Sequence, residues 1–501
     1  MKRSTTIILL CAALPLVGCD SSRAPSFQLS EQSLELSSFA REKVQGELSA
    51  GFGSPTELVV WPQLDVDFGQ FGGTIGKVGP RAGTIRIGQS GAEGLVSQSE
   101  LGVDALLDEL RGAAVVVTKA TTSAASESEA ASESEAASES EAASESEDGV
   151  KDEPAEASSD GADAPLYRVE SYDSVSRLLT VVDESGELAT FNASEGDTVQ
   201  VLGSALQSGR NLYLRHCMHC HGVSGDGAGP TAQYFKVRPR DYRQGIIKFT
   251  STKASVPRPS SDDLFRVIKL GVPGTYMPSF MLLPDDEVRQ ISEYVRWLAM
   301  RGEMERKLNA WLATSYSQEA VDEADSPAEL QAEFDTEWSE DAGDYIERFG
   351  NDLKLDWQDA DKAESVVNPP VPRTPSSSES IARGRKLFLS KEAKCASCHG
   401  ETARGNGPST EAFNDLPGKP PGTKSDKPGL FDNWGNIVKP RNLTTGVFRG
   451  GRRPIDIYRR IHSGIKGTPM QAFGTTLKED QIWDVVNYVL SIPFEDKQGG
   501  H

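Results

Sequence analysis

Three absences narrow this 501-residue chain before any motif is read. It lacks a run of the roughly 18 apolar residues that a membrane-spanning helix needs; its longest candidate, Ile7 to Val17, falls short. It lacks a basic excess: 52 Lys and Arg stand against 74 Asp and Glu, a formal charge of −22, so nucleic acid is excluded as a partner. It has little cysteine, six residues in all: Cys11, Cys19, Cys217, Cys220, Cys395 and Cys398. That is too few for a disulfide framework in a chain this long. The length itself exceeds one ordinary core, so two or more domains with linkers are expected.

What is present begins with an export signal. Lys2 and Arg3 precede the short apolar run, which ends in Leu16-Val17-Gly18-Cys19. This ending resembles a bacterial lipobox, and the resemblance implies that residues 1–19 are a signal peptide whose Cys19 becomes the lipidated first residue. Asp20 after it resembles the signal that retains such lipoproteins in the inner membrane. The expected location is the periplasmic side of that membrane, lipid-anchored, with a soluble periplasmic protein as the alternative. Cys11 leaves with the signal, and the other four cysteines form two C-x-x-C-H motifs with none left over.

Composition then divides the chain. Residues 26–118 mix an expected helix, Leu34 to Leu48, with strand-like segments such as Thr84 to Ile87, and carry no readable function. From Ala124 to Glu147 the hexad Ala-Ala-Ser-Glu-Ser-Glu occurs four times. Such a segment cannot bury a core, so 119–164 is expected to be a disordered acidic spacer giving later domains reach from the membrane. Residues 165–202 read as a small β unit, with strands Leu178–Val182, Leu188–Phe191 and Thr198–Leu202.

The rest of the chain repeats. A first domain is expected over 203–301 and a second over 373–497, joined by an acidic, helical connector, 302–372. Gly227, Gly229, Pro230 and Phe235 meet Gly405, Gly407, Pro408 and Phe413 at the same offset of 178 that relates His221 to His399. Farther on the offset is 193, bringing Gly271, Gly274, Thr275, Met277 and Phe280 onto Gly464, Gly467, Thr468, Met470 and Phe473. A match this long marks two homologous domains. Each reads as helical: a middle helix from near Ser261 to Gly271 or Pro454 to Gly464, then a last helix with one apolar stripe.

C-x-x-C-H places two thiols to form thioethers with the vinyl groups of a haem and sets the next histidine against its iron. Chance would supply one such motif about once in a thousand shuffled chains of this composition. A zinc site needs four ligands, more than either copy offers, and a redox dithiol does not explain the histidine. Two covalently bound haem c groups are therefore expected, held by Cys217, Cys220 and His221 and by Cys395, Cys398 and His399. For the second iron ligand, Met470 is the single methionine of the second copy, and Met277 faces it in the repeat. Met281 competes in the first copy, and His462 falls opposite Lys269, which could not serve. His/Met ligation raises the potential and closes the iron to substrate, which favours carrying electrons.

Both copies resemble class I cytochromes c, and the pair resembles the dihaem cytochrome c family, including dihaem subunits of bacterial respiratory complexes. The resemblance implies a mostly α fold: two all-α cytochrome c domains after a mixed or β N-terminal region and the disordered linker. It also implies that the carbonyls of Pro230 and Pro408 orient the axial histidines, and that the helices of Gly209 and Gly384 cross the last helices near Tyr294 and Tyr488. The expected function is single-electron transfer in a membrane-associated respiratory chain, between a quinol-oxidising complex and a terminal oxidase or reductase. Alternatives are a peroxidase-like enzyme with one open haem and a docking subunit of a larger complex. A basic stretch, Arg441, Arg449, Arg452, Arg453, Arg459, Arg460 and Lys466, is open to three readings. It could pair with haem propionates (Arg441, matched by Arg240, being best placed), dock an acidic partner, or form a solvated face.

Overall fold

The structure, a computed structural model, describes residues 26–59, 70–78, 84–87, 114–118, 167–173, 178–182, 187–188, 198–202, 204–417, 419 and 422–495. The expected signal peptide with Cys19 and the expected disordered linker, 119–164, lie outside the described residues. Among the described residues no helix is long and apolar enough to cross a membrane.

Near the N-terminus the one helix expected from Leu34 to Leu48 is two, α1 (Glu31–Glu35) and α2 (Ser38–Phe52). The break falls at Leu36-Ser37 because the Ser37 hydroxyl accepts from the Ala40 amide and starts a new helix there. Six strands come next: β1 (Gln70–Val78), β2 (Thr84–Ile87), β3 (Ala114–Thr118), β4 (Tyr167–Asp173), β5 (Leu178–Val182) and β6 (Thr198–Leu202). They close one antiparallel barrel in the order β1-β2-β5-β4-β3-β6. Closure leaves no strand edge unpaired. The stretches read separately from sequence, 26–118 and 165–202, therefore contribute three strands each to a single body, and the second is no satellite hairpin. β3 and β4, which flank the Ser/Glu-rich segment in sequence, are paired neighbours, with Ala114 opposite Arg168 and Val115 opposite Tyr167.

The first repeat contributes α3 (Ser204–His216), α4 (Met218–His221), α5 (Ser261–Leu270) and α6 (Asp285–Leu312). The connector supplies α7 (Gln318–Glu323) and α8 (Pro327–Asp361). The second repeat gives α9 (Ser378–Phe388), α10 (Cys395–His399), α11 (Pro454–Ser463) and α12 (Glu479–Glu495), with the short ladder β7 (Leu430–Phe431) and β8 (Ile437–Val438) in its insertion. In both repeats the first helix crosses the last at the expected glycine. A Cβ on Gly209 would lie 2.0 Å from the Gln290 carbonyl and 3.2 Å from Tyr294 Cβ; on Gly384, 2.0 Å from the Asp484 carbonyl and 2.9 Å from Tyr488 Cβ. No side chain fits at either crossing.

Two cores result. One joins Tyr213, Tyr294, Trp297 and Leu298 to Val44, Leu48 and Phe52 of α2 and to Phe334, Leu353 and Trp357 of α8. The other, around Phe388, Tyr458, Val486 and Tyr488, is built from the second repeat with Val367 at the end of the connector. The expected boundary at residue 301 thus falls inside α6, which runs on to Leu312 because Met304, Leu308 and Leu312 continue its buried stripe under α2 and α8.

Candidate cofactor sites

Each C-x-x-C-H forms its own turn of helix. In the first, the Cys217 amide continues the ladder of α3 by bonding the Tyr213 carbonyl at 2.8 Å, and the His221 amide bonds the Cys217 carbonyl at 2.9 Å. The chain then doubles back over this turn: Gly227 N–H donates to the His221 carbonyl and Gly229 N–H to that of Cys220. A Cβ on Gly229 would lie 2.6 Å from the carbonyls of both Met218 and His219, and one on Gly407 would lie 2.3 Å from that of Ser397. These glycines are what permits the return. All four thiols are free. Burial pushes the Cys217 thiol up to about 12 and Cys395 to about 11, the neighbouring cysteine adding to burial in both cases.

The motif histidines are held alike. Nδ1 of His221 lies 3.2 Å from the Arg240 carbonyl, and Nδ1 of His399 lies 3.2 Å from the Arg441 carbonyl. A carbonyl can only accept, so the proton sits on Nδ1 and Nε2 is left with its lone pair for a metal. Burial lowers both imidazoles, His221 to about 4, the carbonyl bond opposing it in part. They are neutral where a metal would need them so. The orienting carbonyls are not those of Pro230 and Pro408. Both prolines face solvent, and their carbonyls accept instead from Gln233 Nε2 at 3.0 Å and the Glu411 amide at 3.2 Å. The segments Pro239-Arg240 and Pro440-Arg441 lie so close over the return turn that a Cβ on Gly227 or Gly405 would meet the proline carbonyls at 2.6 and 2.3 Å, and this brings the next carbonyl to the ring.

The methionine loops also match bond for bond. Val272 N–H donates to the Met277 carbonyl at 3.2 Å, the Thr275 hydroxyl to the Val272 carbonyl, and the Met277 amide to Thr275 Oγ1 at 3.1 Å. Ile465, Thr468 and Met470 repeat these three bonds at 2.9, 2.7 and 3.3 Å. Met277 and Met470 are half-buried, whereas the competitor Met281 is 63% exposed. His462 is spoken for by the core: it stacks on Tyr458 with centroids 6.0 Å apart, and its Nδ1 lies 3.2 Å from Ser463 Oγ.

The basic stretch is mostly spent inside the chain. Arg441 Nε donates to the Val447 carbonyl, Arg453 pairs with Asp456, Arg459 donates to the Val367 carbonyl and Arg460 to that of Gly451. Lys466 reaches into the first repeat. A broad docking face for an acidic partner is thereby removed. The propionate reading fares better. Among the described residues Arg449 Nε is a buried donor with no partner, and the Arg441 charge beside Arg449 lowers it further than burial alone. Crowded cations and an orphaned N–H group suit the acid groups of a haem. Free thiols, neutral imidazoles with Nε2 available, paired methionine loops and this donor together fit that cofactor. Trp434, whose ring lies under the Arg240 guanidinium, escaped the sequence reading because it lies in the insertion, where the repeat has no counterpart to align.

Residues 204–295 match the family model described as cytochrome c oxidase, cbb3-type, subunit III, and residues 381–493 match that of cytochrome c. No curated protein matches the chain. A solved structure, the reducing HAO-like protein complex of Kuenenia stuttgartiensis, is 24% identical over 57% of this chain and 95% of that one, with a TM-score of 0.38. Residues 204–295 and 381–493 are thus two cytochrome c domains, a kind of domain that implies electron transfer through covalently bound haem c.

Proposed function

We propose that this protein is a dihaem electron carrier, with one haem c attached through Cys217 and Cys220 and ligated by His221, and a second through Cys395 and Cys398 with His399. Met277 and Met470 complete the two iron sites. The observation that carries this reading is the identity of the two sites: each histidine is held at 3.2 Å by an arginine carbonyl, and each methionine sits in the same threonine-braced loop.

When bound, each haem supplies one iron that cycles between +2 and +3. The chain's own part is to fix geometry. The Arg240 and Arg441 carbonyls hold the imidazoles with Nε2 presented, and the threonine-braced loops present the thioethers. The cores around Tyr213 and Phe388 exclude water from one side of each site. Ligands that do not rearrange keep the reorganisation on oxidation small, as single-electron exchange requires.

The same reading places the protein in a membrane-associated respiratory chain, anchored through lipid on Cys19 at the periplasmic face of the inner membrane, between a quinol-oxidising complex and a terminal oxidase or reductase. The lipobox and the export signal support the location, and the closed His/Met sites support the role of carrier. Absorption spectra of the holoprotein, oxidised and reduced, test the core of it. Two haems per chain, a methionine-to-iron band in the far red and no carbon monoxide binding are expected. Carbon monoxide binding at one reduced haem would instead mark an open, peroxidase-like site.

A further inference from the structure

The two cytochrome c domains meet on the side from which each axial histidine is held. Arg240, whose carbonyl accepts from His221, extends its guanidinium across the boundary and lies over the indole of Trp434, its Cζ 3.7 Å from the ring centroid. Trp434 belongs to the second domain's insertion. It is kept there by its own domain: the Trp434 amide donates to Asp432 Oδ1 at 3.2 Å, and the ring packs over Gly467, where a Cβ would come within 2.7 Å of it. Asp432 is buried and supplies the leading negative charge felt by Arg240; it also lies 3.6 Å from Lys248 of the first domain. Elsewhere on the boundary Arg266 pairs with buried Asp456 at 2.7 Å, and the Lys466 ammonium donates to the carbonyls of Val256 and Arg258. Contacts so numerous and so well buried hold Trp434 in one place relative to Arg240.

We propose that Trp434 is a positioning residue for the first haem site, acting from the second domain: by stacking on the Arg240 guanidinium it fixes the backbone carbonyl that orients His221. A carbonyl bonded to Nδ1–H raises the electron-donating power of the imidazole and so favours the ferric state. The strength of that bond depends on how firmly residue 240 is held, and a desolvated cation–π stack holds it more firmly than solvent would. Among the described residues the second site has no equivalent clamp of the same kind. Arg441 is secured within its own domain by its Nε bond to Val447, and its guanidinium terminus only rests near Gly274 of the first. One domain therefore sets the ligand field of the other, and the effect runs from second to first.

This rests on His221 being an iron ligand, and the test separates the two claims. Full-length holoprotein, made with the haem-attachment machinery, is titrated spectroelectrochemically as wild type, Trp434→Ala and Trp434→Phe. The component of the second domain is identified as the one displaced by Met470→His. In Trp434→Ala the first domain's component should rise in potential, with the reduced-to-oxidised ratio at fixed potential changing about tenfold, or about 59 mV for one electron. The second domain's component should stay. Trp434→Phe keeps a stacking face and lacks Nε1–H, so it should restore most of the wild-type value. Two haems with neither component displaced, or displacement of the second alone, overturns the inference while leaving the carrier intact. Failure of Trp434→Phe to restore also overturns it, since the indole N–H and not the stack would then be what matters. A wild-type chain that carries no covalent haem overturns the parent reading and this one with it.

Discussion

In the first cytochrome c domain the last helix continues for about three turns past the core of the domain and is gripped there by α2 on one side and α8 on the other. In the second domain α12 ends at Glu495, and its core receives nothing from the N-terminal region or from α8. The sites inside are nearly the same, bond for bond. Their surroundings are not. The first is embedded in a larger body; the second takes only the end of the connector, Val367, into its core and carries an insertion whose Trp434 reaches Arg240 of the first. A single ancestral fold can thus be kept as a cofactor cradle while mechanical support and tuning are assigned to elements outside it.

The largest test of this contrast is loss of one site. His399→Ala should reduce the haem content from two to one per chain, measured by the pyridine haemochrome assay, with the first domain's spectrum retained. Collapse of both haem signals would show that the domains cannot stand apart. Next in size is the core. Trp297 is fully buried among Phe27, Phe52 and Tyr294, so Trp297→Ala should cost about 3–5 kcal/mol. Differential scanning calorimetry should show the transition of the first domain falling by several degrees while that of the second stays. Equal shifts in both would mean that the two cores melt as one.

Smaller again is the helix crossing. Gly384→Ala forces a methyl to within about 2 Å of the Asp484 carbonyl and should cost about 1–3 kcal/mol, as should Gly209→Ala against Gln290. The substitution at Gly209 should be the worse tolerated, because α2 and α8 hold the helix it would displace and leave it less room to relax; chemical denaturation of the two variants decides the order.

The smallest effect concerns pH and the boundary between the domains. Burial lowers the Lys466 ammonium from 10.5 to about 8. Between about pH 8 and 10.5 the undocked state then binds more protons than the docked one, so docking strengthens as pH rises through that window and is weaker below it. Small-angle scattering of the holoprotein across that range should show slight compaction with rising pH, and Lys466→Met should abolish the trend. A trend unchanged in Lys466→Met would assign it to another group.

Most of the candidate site was read from residues alone. C-x-x-C-H is local, so its chemistry does not depend on the rest of the fold, and the offsets of 178 and 193 singled out Met277 and Met470 without coordinates. The helix ends at Gly271 and Gly464 were equally visible, since both end in the left-handed region that glycine favours, with φ of 66° and 72°. The barrel was not. Its closing pairs join residues far apart in sequence, such as Gln70 with Leu202, and the low-complexity segment between β3 and β4 hid the fact that they are neighbours. Nor could sequence separate the carbonyls of Pro230 and Arg240 as partners of His221, because the choice depends on which of two loops passes over the ring.

The sequence by itself determined the cofactor chemistry, the repeat and the helical character of both domains, because each is set by spacing within a short window. Only the tertiary structure decided that α2 and α8 belong to the first domain's core, that most of the basic stretch is consumed internally, and that Trp434 lies on Arg240. Those outcomes depend on which surfaces bury one another, and burial is a property of the whole packed chain, to which no local run of residues holds the answer.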